Sequence, residues 1–458
     1  MFQRTLCAAG IALMLAPPAQ AADDLSSIRA EIEQLKQQYE KRITDLETRL
    51  QAAEAKAESA QQTASAASAP APAPASSTNS FNPDVSLILQ GQYANLGKAA
   101  NGQISGFLTP EGQARPPKGF SIDGAELMFS ANIDHLFKGS AILTVADEEV
   151  AVEEAWFQTL SLGSGFNLKG GRFLSAIGYQ NEQHPHAWDF VDSNLVYKTL
   201  FGEHYAQDGL QLKWLAPTDL FIEPFVEIGR GAGFPGTDRD KNGAGAVAAG
   251  IHLGDDVGDS NSWRAGLSYL STRASQRGFD GTDAGGTDVT GDFSGKSSVW
   301  LADFVWKWAP DGNSRERNFK FAAEYFHRNE SGSLNCEDAD PLAPSLCTGG
   351  LSGPYRSSQS GFYAQGVYQF MPQWRIGYRY DRLSRGNVDF NGTDAGATLA
   401  SLADYNPSRH SLMLDWSPSE FSVLRTQVSR DRSAEGQDEN QWFVQYIYSL
   451  GAHGAHKF

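Results

Sequence analysis

The sequence predicts an all-β fold, a 16-stranded antiparallel transmembrane β-barrel preceded by a short N-terminal coiled-coil helix. Three observations predict it. Beyond Phe81, apolar and polar residues alternate with a period of two. The alternating segments are joined by short turns and long polar loops in turn. No window offers the ~20 uninterrupted apolar residues that a transmembrane helix requires.

In chain order, residues 1–21 read as a secretory signal peptide, with Arg4 before the apolar stretch Cys7 to Ala16 and a small-residue cleavage site at Ala19-Gln20-Ala21. Residues 22–51 follow as a periplasmic coiled coil. Leu25, Ile28, Ile32, Leu35, Tyr39, Ile43, Leu46 and Leu50 recur at spacings of three and four, with one stutter after Tyr39. Nothing adjacent offers to cover that stripe, so self-association is expected. Residues 52–80 are an Ala/Ser/Pro-rich linker in which Ala69 to Ala75 alternates Ala and Pro, a semi-rigid spacer. The barrel takes residues 81–458.

The sixteen expected strands are 85–93, 119–134, 138–150, 153–162, 165–174, 208–217, 219–230, 244–254, 262–272, 297–309, 317–328, 360–370, 373–383, 408–417, 419–430 and 440 to the end. Short turns such as Met371-Pro372-Gln373 and Ser417-Pro418-Ser419-Glu420 fall at one rim. Long Gly/Asp/Ser loops, 273–296, 329–359 and 384–407 among them, fall at the other. That asymmetry with an even strand number is characteristic of bacterial outer-membrane barrels. The faces agree: Trp300, Phe304, Trp306 and Trp308 oppose Asp303 and Lys307, and Trp374, Ile376, Tyr378 and Tyr380 oppose Arg375, Arg379 and Asp381. The last strand runs in one parity from Trp442 to Phe458, a terminal aromatic of the kind read by the barrel-assembly machinery.

Net charge is −17, and loss of Arg4 with the signal takes it to −18, which excludes nucleic acid as a partner. Cys7 leaves with the signal. The remaining pair, Cys336 and Cys347, suggests one disulfide in an oxidising compartment, worth roughly 3 kcal/mol and expected to staple a surface loop. No Gly-x-Ser-x-Gly elbow, His-Glu-x-x-His helix or phosphate-binding Gly-rich loop is present, so neither an enzyme nor a cofactor is expected.

The sequence resembles a family of proteobacterial outer-membrane porins related in architecture to the phosphate-selective porin O and P group. The resemblance is carried by Phe81-Asn82-Pro83 before Ser86-Leu87-Ile88-Leu89, by Gly171-Arg172-Phe173 with Asn181-Glu182-Gln183-His184 and His186-Ala187-Trp188-Asp189-Phe190-Val191-Asp192, and by Ser449 to Phe458. It implies a homotrimeric barrel in outer-membrane lipid and lipopolysaccharide, with a periplasmic coiled coil. Some relatives carry the label of zinc-regulated TonB-dependent outer membrane receptor. Length argues against that label, because 22 strands around a plug would leave about 17 residues per strand and none for the plug.

The connection between the fifth and sixth strands is the candidate constriction, by analogy with general porins. Its ionisable residues are Glu182, His184, His186, Asp189, Asp192, Lys198, Glu203 and His204. Residues two apart in extended chain face the same way, so His184 and His186 form a weak metal-chelating pattern, with His204 or Asp189 as further ligands. Lys169, Lys213, Glu223, Glu227, Asp303, Lys307, Lys320, Glu324, Arg375, Arg379, Asp381 and Arg425 lie opposite the apolar rows and are expected to line the pore wall, as solute contacts or as paired charges stiffening it. The function expected is passive diffusion of small hydrophilic solutes or ions. The alternatives are a structural anchor tethered through the coiled coil, or a metal (zinc) uptake channel.

Overall fold

Sixteen strands follow one another around a single closed sheet. They are β1 (Asp84–Asn95), β2 (Gly119–Asn132), β3 (Phe137–Ala146), β4 (Glu149–Thr159), β5 (Phe166–Leu174), β6 (Ala206–Trp214), β7 (Phe221–Gly229), β8 (Ala246–Val257), β9 (Asn261–Thr282), β10 (Asp288–Trp308), β11 (Asn318–Asp338), β12 (Leu351–Met371), β13 (Trp374–Phe390), β14 (Ser408–Ser419), β15 (Ser422–Arg432) and β16 (Glu439–Gly451). Each pairs antiparallel with the next, and β16 returns to β1, so that Leu87 faces Leu127 on one side and Leu450 on the other. Closure leaves no strand edge unpaired. A two-residue ladder, Thr393–Asp394, folds back on the end of β13. The structure is a computed structural model that describes residues 83–97, 102–110, 115–146, 149–160 and 162–451. The expected signal peptide (1–21), coiled coil (22–51), linker (52–80) and assembly residue Phe458 lie outside the described residues.

Alternation decides which side chain goes where. In β10, Val299, Leu301 and Val305 are at most 2% exposed, whereas Trp300, Phe304 and Trp306 are 50%, 41% and 37% exposed. Aromatic pairs ring the short-turn rim on the outer face: Phe166 with Trp214 (6.1 Å between ring centroids), Trp306 with Phe319 (5.7 Å) and Trp374 with Trp416 (6.0 Å). A second tier nearer the other rim includes Tyr93 with Phe120 and Trp442, and Tyr269 with Trp300. The turns use local chemistry. Between β2 and β3, Asp134 accepts from the Leu136 and Phe137 N–H groups at 2.7 and 2.9 Å, an Asx turn.

The wall is uneven. β5, β6 and β7 have nine residues each, while β9 has 22 and β10, β11 and β12 have 21. This corrects the loop assignment, since most of 273–296 and 329–359 continues the hairpins and only 283–287 and 339–350 connect them. The reason is ladder pairing that runs on through small residues, with Gly295 opposite Gly332 and Ser294 opposite Ser333. Inward-facing Phe279, Phe293, Leu334 and Tyr355 give these extensions a buried apolar side, completed by Leu399 and Leu402 from the connection after β13. Cys336 at the end of β11 and Cys347 in the 339–350 connection, 5.4 Å apart at Cα, are disulfide-bonded with both side chains fully buried in that cluster.

The inner face also carries an apolar cluster, in which Phe326 is fully buried. Phe326→Ala is expected to lower stability in detergent by about 3–5 kcal/mol, measured from the guanidinium unfolding midpoint. The outward-facing Phe304→Ala should cost much less, and equal costs would contradict the assignment of inner and outer faces.

Candidate functional site

Residues 175–205, between β5 and β6, fold into the barrel. Two short 3-10 turns, Gln180–Glu182 and Pro185–Ala187, lead to a seven-residue helix, α1 (Leu195–Phe201). The Asn194 side chain caps α1 by accepting from the Tyr197 N–H at 2.9 Å, and Gly202 ends it in the left-handed region at φ 66°. A helix this short has no stability of its own. Packing holds it: Val196, Tyr197, Leu200 and Phe201 are buried in one cluster with Phe326, Tyr363 and Leu383 of the wall. The Tyr197 ring meets Phe326 edge-on at 5.1 Å. Gly178 has to be glycine, because a Cβ there would sit 2.3 Å from Glu324 Oε2, and its φ is +72°.

Irregular chain inside a barrel needs partners for its backbone. Glu324 supplies them at one point, accepting from the N–H groups of Tyr179 (3.1 Å) and Gln180 (2.8 Å) and from the hydroxyls of Tyr197 (3.0 Å) and Tyr363 (2.7 Å). Glu227 accepts from the Ser175 hydroxyl at 2.5 Å and the Ala176 N–H at 2.8 Å. Asp303 is buried opposite Glu324 on the neighbouring strand.

Ion pairs fix the two sides of the segment. Asp189 lies 2.6 Å from Lys320 and 3.2 Å from Arg375. Asp192 lies 3.0 Å from Arg379 and 2.6 Å from Arg409. Burial alone would raise both carboxyls, but Lys320 and Arg375 at the first, and Arg409 and Arg379 at the second, hold them below the usual carboxylate range. Arg379 also donates to Asp381 at 3.1 Å, Arg425 donates to Asp415 at 2.8 Å, and Arg375 donates to Asp415. On the opposite wall, His184 and His186 meet Glu126 on β2 and Glu153 and Glu154 on β4. Burial opposes a charged His184, yet its hydrogen bonds to Glu153 and Glu154 raise its pKa well above the usual imidazole value.

The other sequence-selected residues are placed as follows. Glu182 is 3.2 Å from Lys213 and 4.0 Å from Arg264, and Lys213 is 3.3 Å from Glu223. Lys198 lies 4.0 Å from Asp192 and 3.8 Å from Glu203. Lys169 stands 4.8 Å over the Trp156 ring, and Lys307 is half-buried on β10. His204, grouped with His184 and His186 on sequence spacing, makes its own contacts: its Nε2 meets the Gln183 carbonyl at 3.0 Å and its ring stacks on Trp188 at 5.1 Å. Sequence reasoning missed Arg409, Asp415, Glu126, Glu153 and Glu154. Arg409 and Asp415 share the inward parity of β14 and were legible on that ground. Glu153 and Glu154 were not, because a bulge opposite Ile142 and Leu143 leaves Glu153 without a cross-strand partner and lets two consecutive side chains reach the interior.

The segment contributes to cavities near both rims. One of about 440 Å³ near the short turns is bordered by Glu182, Lys213, Glu223, His252 and Arg264. A smaller one of about 80 Å³ near the long connections is bordered by Asp192, Lys198, Glu203 and Arg409.

No protein-family model matches the sequence. An uncharacterized protein of Aquifex aeolicus (strain VF5) is 27% identical over 409 residues, covering 83% of this chain and 81% of that protein. Among solved structures, the trimer form of OmpT, an outer membrane protein of Vibrio cholerae, matches with a TM-score of 0.48 and 12% identity over 80% of this chain and 99% of that one. The outer membrane channel DcaP of Acinetobacter baumannii matches at 0.45 and 11% identity, over 80% and 97%. An anion-selective porin from Comamonas acidovorans matches at 0.44 and 8% identity, over 80% and 99%.

Removing the charge of Asp192 takes one carboxylate from Arg379 and Arg409 and leaves them Asp381 to share, so Asp192→Asn is expected to destabilise by about 3 kcal/mol in guanidinium unfolding. The sign with pH follows from the depressed carboxyl. Its contribution is present above the unfolded value of about 3.9 and is lost as pH falls through the lower folded value. The gap between wild type and D192N should therefore stay constant from pH 7 to about pH 4 and close below it. Closure already between pH 7 and 5 would contradict the pairing.

Proposed function

We propose that the protein is an outer-membrane porin through which small hydrophilic solutes or ions diffuse passively, with residues 175–205 as its constriction. The observation that carries this reading is a closed 16-stranded barrel with an apolar, aromatic-ringed outer face and an ionisable inner face, crossed by the inward-folded segment 175–205. The outer face suits membrane lipid and lipopolysaccharide. Water is the natural content of an interior that holds this many charged groups. In the same reading the barrel is inserted by the assembly machinery through Phe458, forms a homotrimer, and carries its coiled coil in the periplasm. The architecture is that of the phosphate-selective group, and the constriction residues are Glu182, His184, His186, Asp189, Asp192, Lys198, Glu203 and His204.

The test is planar-bilayer conductance of the refolded 22–458 chain under a salt gradient. Stepwise openings in groups of three are expected, with a reversal potential showing modest ion preference. Replacing residues 183–192 by a Gly-Ser linker should raise the unit conductance by about twofold or more, as removal of a constriction does. No conductance from wild type or the replaced chain would overturn the diffusion reading and favour a structural anchor.

A further inference from the structure

We propose that His184 and His186 of the inward segment, with Glu126 and Glu153 of the facing wall, form a binding site for one divalent transition-metal ion. His184 Nδ1 lies 3.2 Å from Glu153 Oε1 and 3.9 Å from Glu126 Oε2. His186 Nδ1 lies 2.9 Å from that same Glu126 oxygen. One donor atom from each of Glu126, Glu153 and His184 falls within 4.8 Å of the others. A tetrahedral ion with bonds of about 2.0–2.2 Å sets its ligands about 3.4 Å apart, so an ion enters this group with small side-chain shifts.

The far side of the His184 ring supplies an independent observation. Its Nε2 is 3.4 Å from Glu154 Oε2, and Glu154 is itself fixed by the Leu174 N–H at 2.8 Å and the Trp156 indole N–H at 3.3 Å. A carboxylate behind a histidine takes the distal N–H, and once an incoming ion displaces the Nδ1 proton to solvent the other nitrogen's lone pair faces the metal, the arrangement found around metal-ligating imidazoles. Glu153 is steadied in the same way by the Thr144 hydroxyl at 2.7 Å. The bulge in β4 is what allows one of two adjacent glutamates to serve as ligand and the other as the histidine's partner.

Charge points the same way. Three carboxylates converge on two imidazoles where the His184 and Glu126 side chains are only 15% and 7% exposed, and a dication offsets the excess. Mixed nitrogen and oxygen donors select zinc, manganese and their neighbours over calcium or magnesium, which take oxygen alone. Bound there, the ion bridges the inward segment to β2 and β4.

The experiment is calorimetric titration of ZnCl2, MnCl2 and CaCl2, separately, into the refolded full chain in detergent, with a cobalt-loaded sample read by visible absorption. One zinc or manganese per chain is expected. Binding should weaken at least tenfold in Glu126→Gln, Glu153→Gln and His186→Gln, and stay unchanged in His410→Ala, whose ring lies on the outer face. The heat-dependent shift in gel mobility identifies folded variants. The cobalt band of the wild type reports nitrogen and oxygen coordination even if none of them folds. No binding, binding unaffected in folded variants, or a cobalt spectrum without imidazole nitrogen would overturn the site. Equal affinity for calcium would overturn the assigned metal class. Because binding is read in detergent, its failure leaves the diffusion reading intact, and an absence of conductance leaves this site intact.

Discussion

The interior of this barrel depends on the pairing of Asp189 and Asp192 with the cations of the wall. Antiparallel closure sends every second side chain inward, which gathers Arg375, Arg379, Arg409 and Arg425 from β13, β14 and β15 beside Lys320 of β11. Asp381, Asp415 and Asp431 on the same wall meet these five cations with three carboxylates. Asp189 and Asp192 bring the number to five. Without the segment the wall would keep two more cations than carboxylates, whose mutual repulsion Asp189 and Asp192 remove.

The other side of the segment has the reverse character, since His184 and His186 face a wall of glutamates. Acids at one end and imidazoles at the other give the segment a single electrostatically favourable way to lie across the barrel. Its backbone is held on the same plan. Glu324 and Glu227 accept N–H groups that no helix or ladder satisfies, so wall carboxylates replace the missing secondary structure. The apolar packing of α1 against Phe326 completes what charge and hydrogen bonding begin, and it is what holds the helix itself.

Much of this was legible in the sequence. Alternation located all sixteen strands, since each strand has one apolar and one polar face and short turns punctuate them. The upward extension of β9 to β12 was hidden, because its outward residues are Ser, Gly, Asp and Asn, and those read as loop. Backbone ladders hold these residues in strand form, with an apolar side turned to the interior. The inward segment stood out by its density of ionisable groups, as did its wall partners Lys320, Arg375, Arg379 and Glu324, but Glu126, Glu153 and Glu154 did not. Arg409 shares the inward parity of Ser411, Met413 and Asp415 in β14, so that parity made it legible. Glu153 and Glu154 lie at a bulge, where alternation fails altogether.

The same pairing bears on what a solute would meet. Anion recognition by guanidinium relies on free, parallel N–H groups that grip oxygen bidentately. Arg375 spends its donors on Asp189 and Asp415, Arg379 on Asp192 and Asp381, and Arg425 on Asp415 and the Phe190 carbonyl. A phosphate would have to displace carboxylates already in place, and each displacement would leave a buried Asp without its cation. An inner wall so committed works against a ladder for anions, so under passive diffusion discrimination would fall to the space left beside the segment.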